Sequence, residues 1–163
     1  MNPLAVVEQD GQETRARLER QLKHPIEEVW SMLTDNVGKL KQWFSELRVD
    51  DLREGGTISF DMQDGTYEYF EILELKPYAV LEYTWAENRV RFELSPEPEG
   101  CRLVFVETMV TVNDHTPKDI AGWDVCLDVI EALLDGKTVS ERKAVWEEKY
   151  AQYVEKFAEL GKG

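Results

Sequence analysis

Strict alternation of apolar and polar residues dominates the middle of the chain, and helical spacing dominates both flanks, a pattern that sets the class as α+β. Near the start, Ala16, Leu18 and Leu22 stand against Arg15, Arg17, Glu19 and Lys23, which predicts a half-exposed strand over Arg15 to Lys23. Pro25 suits a first helical position, and Ile26, Val29, Trp30 and Leu33 follow at i, i+3, i+4 and i+7, one face of an amphipathic helix. Asp35-Asn36 interrupts this pattern and can cap a second short helix in which Leu40, Trp43 and Phe44 share a face.

Strands are then expected over Thr57 to Met62, Thr66 to Leu75, Ala79 to Trp85, Arg89 to Leu94 and Arg102 to Val112, with Glu46 to Asp50 a further candidate. Turn signals separate them at Asp64-Gly65, Lys76-Pro77, Ala86-Glu87-Asn88 and Pro96 to Gly100. Connections this short predict an antiparallel meander.

The segment Pro117 to Leu134 reads as a long helix. Ile120, Trp123, Leu127, Ile130 and Leu134 fall on one stripe, and Val125, Cys126, Val129, Ala132 and Leu133 cover the adjoining side. Asp124, Asp128, Glu131 and Asp135 form a narrow polar edge, expected to be solvated, and Gly136 ends the helix. A last helix over Ser140 to Leu160 carries Trp146, Tyr150, Tyr153, Phe157 and Leu160 on one face, with Thr138 and Glu141 at capping-box spacing. Residues 1–12 are expected to be a flexible arm and residues 13–163 a single domain.

Composition narrows the function. With 33 acidic against 19 basic side chains the net charge is −14, a field that disfavours nucleic acid and anionic membrane. Acidity alone accounts for solubility, and a basic partner surface is the sharper alternative. No segment has the roughly 20 apolar residues that membrane insertion requires, and the N-terminus lacks the basic start and apolar run of a signal peptide. Two cysteines are too few for a disulfide scaffold, so reduced thiols and a cytoplasmic location are expected.

Chemical motifs are sparse. His24 and His115 sit in no metal-ligand spacing, and no nucleophile elbow, phosphate loop or dinucleotide fingerprint occurs, so neither metal nor cofactor is expected. Cys101 lies beside a turn glycine, and Cys126 on a buried helix side where a thiol is inert.

Several motifs occur together and in order: Val29-Trp30, Leu33-Thr34, Gln42-Trp43-Phe44, Gly55-Gly56, Glu74-Leu75-Lys76-Pro77, Tyr83-Thr84-Trp85, Phe92-Glu93-Leu94, and Gly122-Trp123 with Leu127-Asp128 and Gly136. In this the chain resembles the homologues of the activator of the heat-shock-protein-90 ATPase, the AHSA1-like family of the START-like (SRPBCC) superfamily. The resemblance implies a helix-grip fold: a curved antiparallel sheet wrapped around a long C-terminal helix, with two short N-terminal helices and an apolar cavity. It also implies that Trp123 and Leu127 line that cavity. Many members carry a histidine where this chain has Glu107.

Alternation adds Phe60, Met62, Trp85, Phe92, Phe105 and Met109 as inward strand positions, and places Glu107 among them. An inward carboxylate has a raised pKa and can bind a ligand hydroxyl or serve as a general acid; the alternative is a structural, paired carboxylate. The function expected is non-catalytic binding of a small hydrophobic or amphipathic ligand. Two alternatives stand beside it. The family name suggests a chaperone-associated stress protein, although 163 residues leave no room for the activating domain that precedes this one in the eukaryotic co-chaperone. The superfamily also includes cyclases, aromatases and hydrolases, which would need an acid-base partner for Glu107. On the binding reading, Leu127 borders the cavity while Val129 and Leu133 pack against protein, so Leu133→Ala is expected to cost more stability than Leu127→Ala.

Overall fold

The computed structural model describes residues 3–160. The chain runs through β1 (Val6–Asp10), β2 (Glu13–Leu22), α1 (Ile26–Thr34), α2 (Leu40–Trp43), β3 (Leu47–Val49) and β4 (Thr57–Asp61). It continues through β5 (Tyr67–Lys76), β6 (Val80–Trp85), β7 (Asn88–Glu97), β8 (Gly100–Met109), α3 (Thr116–Leu134) and α4 (Arg142–Leu160). The eight strands form one antiparallel sheet in the order β1-β2-β8-β7-β6-β5-β4-β3. A bulge in β5 between Ile72 and Glu74 adds bend where the sheet curls around α3, the helix-grip arrangement.

Alternation in β2 turns Ala16, Leu18, Arg20 and Leu22 inward, beside Met109, Glu107, Phe105, Leu103 and Cys101 of β8. Every one of these side chains is buried. α1 buries Val29, Trp30, Met32 and Leu33, the face its spacing predicts, and places Glu27 and Glu28 in its first turn, where the helix dipole favours negative charge. At the C-terminus of α3, Gly136 takes a left-handed φ of 75°, and its N–H and that of Lys137 return to Leu133 and Ala132.

Several expectations are corrected. Of the arm expected over residues 1–12, residues 1 and 2 lie outside the described residues, whereas Val6–Asp10 form β1, paired from Val6↔Arg17 to Asp10↔Glu13. This strand is mostly exposed on both faces and therefore shows no alternation. β7 runs on through Pro96, which pairs with Cys101 beyond the reach of β6, so its missing N–H leaves no neighbour unsatisfied. Asn36 caps nothing: its side chain donates to the Val49 carbonyl at 2.6 Å and accepts from the Val49 N–H at 2.8 Å. Glu141 precedes α4 with a φ of 56°, a conformation incompatible with a capping-box role inside the first turn.

The acidic edge of α3 is solvated only at its C-terminal end, where Asp135 is exposed. Asp124 is fully buried, receiving Arg20 Nη2 at 2.7 Å, Lys149 Nζ at 3.0 Å and the Tyr153 hydroxyl at 2.6 Å. Asp128 meets the same two cations at 3.2 and 3.1 Å. The Tyr153 hydroxyl also accepts the Ala5 N–H at 2.8 Å, so α4 ties the first residues of the chain to α3 and the sheet.

Candidate functional site

Side chains expected to line a cavity instead fill the space between sheet and α3. The Trp123 ring lies 4.8 Å from Trp85, 4.9 Å from Phe105 and 5.6 Å from Phe44, and Phe92 lies 5.3 Å from Phe105. Phe60 joins this cluster 5.9 Å from Trp85 and from Phe44. Tilted and edge-to-face contacts of this kind close-pack the interior.

The open volume lies at one end of this cluster. A cleft of about 480 Å³ is bounded by the α2–β3 corner (Trp43, Phe44, Ser45, Glu46), the end of β6 (Trp85), the N-terminal half of α3 (His115, Lys118, Asp119, Gly122, Trp123, Cys126) and α4 (Arg142, Trp146). That volume suits a small organic ligand. Five aromatic rings wall it, and the polar groups sit at two levels. Toward solvent, Arg142 donates to the Trp43 carbonyl at 2.8 Å and Lys118 lies 5.9 Å over the Tyr150 ring. Toward the interior, half-buried Asp119 accepts the Trp85 indole N–H at 3.1 Å.

Gly122 forms part of the floor. It stands in a helix interior, where glycine costs about 1 kcal/mol relative to alanine. A Cβ there would meet only Trp146 Nε1, at 3.9 Å, so packing does not demand the glycine. What its absent side chain preserves is space in the cleft.

Glu107 faces inward, 0% exposed, between Ala16 of β2 and Val90 of β7. Its polar neighbours are Asp119 and Asn88, but neither carboxyl oxygen has a partner in hydrogen-bond geometry. Burial first, and then the charge of Asp119, push the Glu107 carboxyl well above the ordinary carboxylate range. Its protonated form is thereby favoured over the ionised one, and it stands behind a carboxylate that reaches the cleft. Trp123 Nε1 is also buried and unpartnered. Cys126 borders the cleft, but burial raises its thiol to about 12, too high for a nucleophile.

Of the residues expected to bind ligand, Trp85 and Trp123 border the cleft, while Phe60, Phe92, Phe105, Met109 and Leu127 belong to the packed interior. Met62 is 42% exposed, because β4 ends at Asp61 and the alternation ends with it. Leu127 is 1% exposed and Leu133 half-buried, which reverses the expected order of their packing. Sequence reasoning missed Asp119, although it lies one helical turn before Trp123 on the same face. It also missed Arg142 and Trp146 as wall residues, which only the docking of α4 on α3 brings to the cleft.

Among the described residues no group of three or more His, Cys, Asp or Glu side chains is arranged to hold a metal, and no helix is long and apolar enough to cross a membrane. A model of the family described as Activator of Hsp90 ATPase homolog 1-like protein matches residues 23–135. No curated protein matches the chain. Among solved structures, a conserved protein of unknown function from Enterococcus faecalis superposes with a TM-score of 0.84 at 26% identity, covering 96% of this chain and 91% of that one. CalU16 from Micromonospora echinospora aligns with a TM-score of 0.70 at 22% identity, over 92% of this chain and 93% of its own. A protein from Bordetella parapertussis aligns with a TM-score of 0.71 at 24% identity, over 93% and 90%. The last two likenesses bear on the fold alone.

Proposed function

The chain belongs to the Activator of Hsp90 ATPase homolog 1-like family, and from its helix-grip fold and the cleft at one end we propose that it binds one small, flat, mostly apolar molecule without turning it over. The observation that carries this reading is a wall of four tryptophans and a phenylalanine around a helix-interior glycine that packing does not require. Aromatic faces with a few polar groups are the usual lining of small-molecule sites. The inert thiol at Cys126 and the lack of a metal-ligand cluster among the described residues support binding over hydrolysis.

Calorimetric titration with 2-methylnaphthalene tests the reading. One-to-one saturable binding is expected, and Gly122→Leu, whose side chain projects into the cleft, weakens it about tenfold or more. Gly122→Ala raises stability by about 1 kcal/mol through helix propensity. Failure of a chemically varied set of aromatic ligands to bind, or unchanged affinity in Gly122→Leu, overturns the proposal. Recovery of a chaperone from a pull-down with the intact protein would favour the competing reading that the family name suggests.

A further inference from the structure

This inference rests on the binding reading above and concerns the chemistry of the ligand. The inner end of the cleft collects hydrogen-bonding capacity that the protein leaves unused. Trp123 is 2% exposed and its indole N–H has no acceptor. Glu107 is 0% exposed and neither of its oxygens is in hydrogen-bond geometry, with Asp119 and Asn88 as its polar neighbours. Asp119, which borders the cleft and neighbours Glu107, accepts from Trp85 but forms no ion pair with a lysine, arginine or histidine among the described residues. Leaving such groups unmatched away from water costs about 1 to 3 kcal/mol each, so native proteins rarely do so without a reason.

Position brings these groups together. Asp119 and Trp123 are four residues apart on α3, one turn along a single face, and both border the cleft. A group bound there lies beside a buried indole whose N–H has no partner and a carboxylate that neighbours Glu107. We infer that the ligand of this cleft carries a hydroxyl group at its buried end, accepting from the Trp123 indole N–H and donating to the Asp119–Glu107 carboxyl pair.

The valence of the hydroxyl selects it over the alternatives. It offers one donor and two acceptor lone pairs, which answers both kinds of unmet group at once. An ammonium has no lone pair for the Trp123 N–H. A carboxylate has no proton to give and meets the charge of Asp119. The cations bordering the same cleft, Lys118 and Arg142, are both exposed and stand away from the buried end that this hydroxyl occupies.

The test compares 2-naphthol, 2-methylnaphthalene and 2-naphthoate by calorimetry on the intact protein. Methyl and hydroxyl are near-isosteric, so the ratio of the first two reads the hydrogen bonds. 2-Naphthol is expected to bind about tenfold more tightly than 2-methylnaphthalene, and 2-naphthoate more weakly than 2-naphthol. In Trp123→Phe, which keeps a ring and loses the N–H, the affinity ratio of 2-naphthol to 2-methylnaphthalene falls about threefold, whatever change in the wall both ligands share. Equal affinities in the wild type, tightest binding by 2-naphthoate, or a full preference surviving Trp123→Phe overturns the inference. Where 2-methylnaphthalene binds without any hydroxyl preference, the proposed function stands and this inference alone falls. Where none of the three binds, both fall. Should Trp123→Phe fail to fold, the wild-type ratio decides.

Discussion

Arg20 on β2 and Asp124 on α3 lie 104 residues apart in the chain and meet at 2.7 Å with both side chains shut away from water. With Lys149 and Asp128 they form a group of two cations and two carboxylates that fastens the gripped helix to the sheet and to α4. Attraction between buried charges is offset by the desolvation of each, so the pair matters most when it is broken.

Arg20→Met leaves Asp124 with Lys149 as its only cation among the described residues and is expected to lower stability by about 3 kcal/mol. Adding Asp124→Asn removes the stranded charge yet keeps an acceptor for Tyr153, and recovers at least half of that loss. Urea melts of the two single variants and the double variant close the cycle; simple additivity would show the two residues to be energetically independent.

Leu127 is packed on all sides within the core, whereas Leu133 is half-buried, so the cavity left by truncation is larger at the first position. Leu127→Ala is expected to lose about 2 to 5 kcal/mol, and Leu133→Ala clearly less. Denaturant midpoints compare the variants, and the reverse order would place the rotation of α3 against the sheet in error.

The folded state holds a proton on Glu107 that the unfolded chain releases above about pH 4.3. The stabilising contribution of that proton is complete below this pH and is lost as pH rises through the elevated folded value. Glu107→Gln never ionises, so its stability relative to wild type grows across that window, by up to about 1.4 kcal/mol per pH unit, and the two proteins converge in acid. Melts between about pH 4 and 8 check this, and a gap that does not change with pH would count against a buried neutral acid.

Local periodicity carried far in this chain because most of its elements bury one face. The spacing of Val29, Trp30 and Leu33 marks the face that α1 buries, and alternation through Leu103, Phe105 and Glu107 places the carboxyl inward. Periodicity fails where burial does not follow it. β1 is exposed on both faces and leaves no pattern, and Met62 follows the strand rhythm one residue past the end of β4. Charge at an inward position was the harder case. Arg20 continues the series Ala16, Leu18, Leu22, but its partners Asp124 and Asp128 lie on α3, and no local rule reaches across that distance. The cleft was illegible for the same reason: its walls come from four separate stretches of chain, and the aromatic residues taken for its lining prefer one another's company in the interior.

The family match stops at residue 135, short of α4, yet α4 supplies Arg142 and Trp146 to the site. Lys149 and Tyr153 anchor this 19-residue helix through Asp124, three residues or more beyond the two residues that face the cleft. The buried anchor at Asp124 and the cleft residues thus sit at different positions along one helix, with Arg142 adding a second attachment at the Trp43 carbonyl. A lineage could exchange Arg142 and Trp146 for other side chains, and so turn toward a new ligand, without disturbing a single strand pairing of the sheet or the anchor that keeps the helix in place.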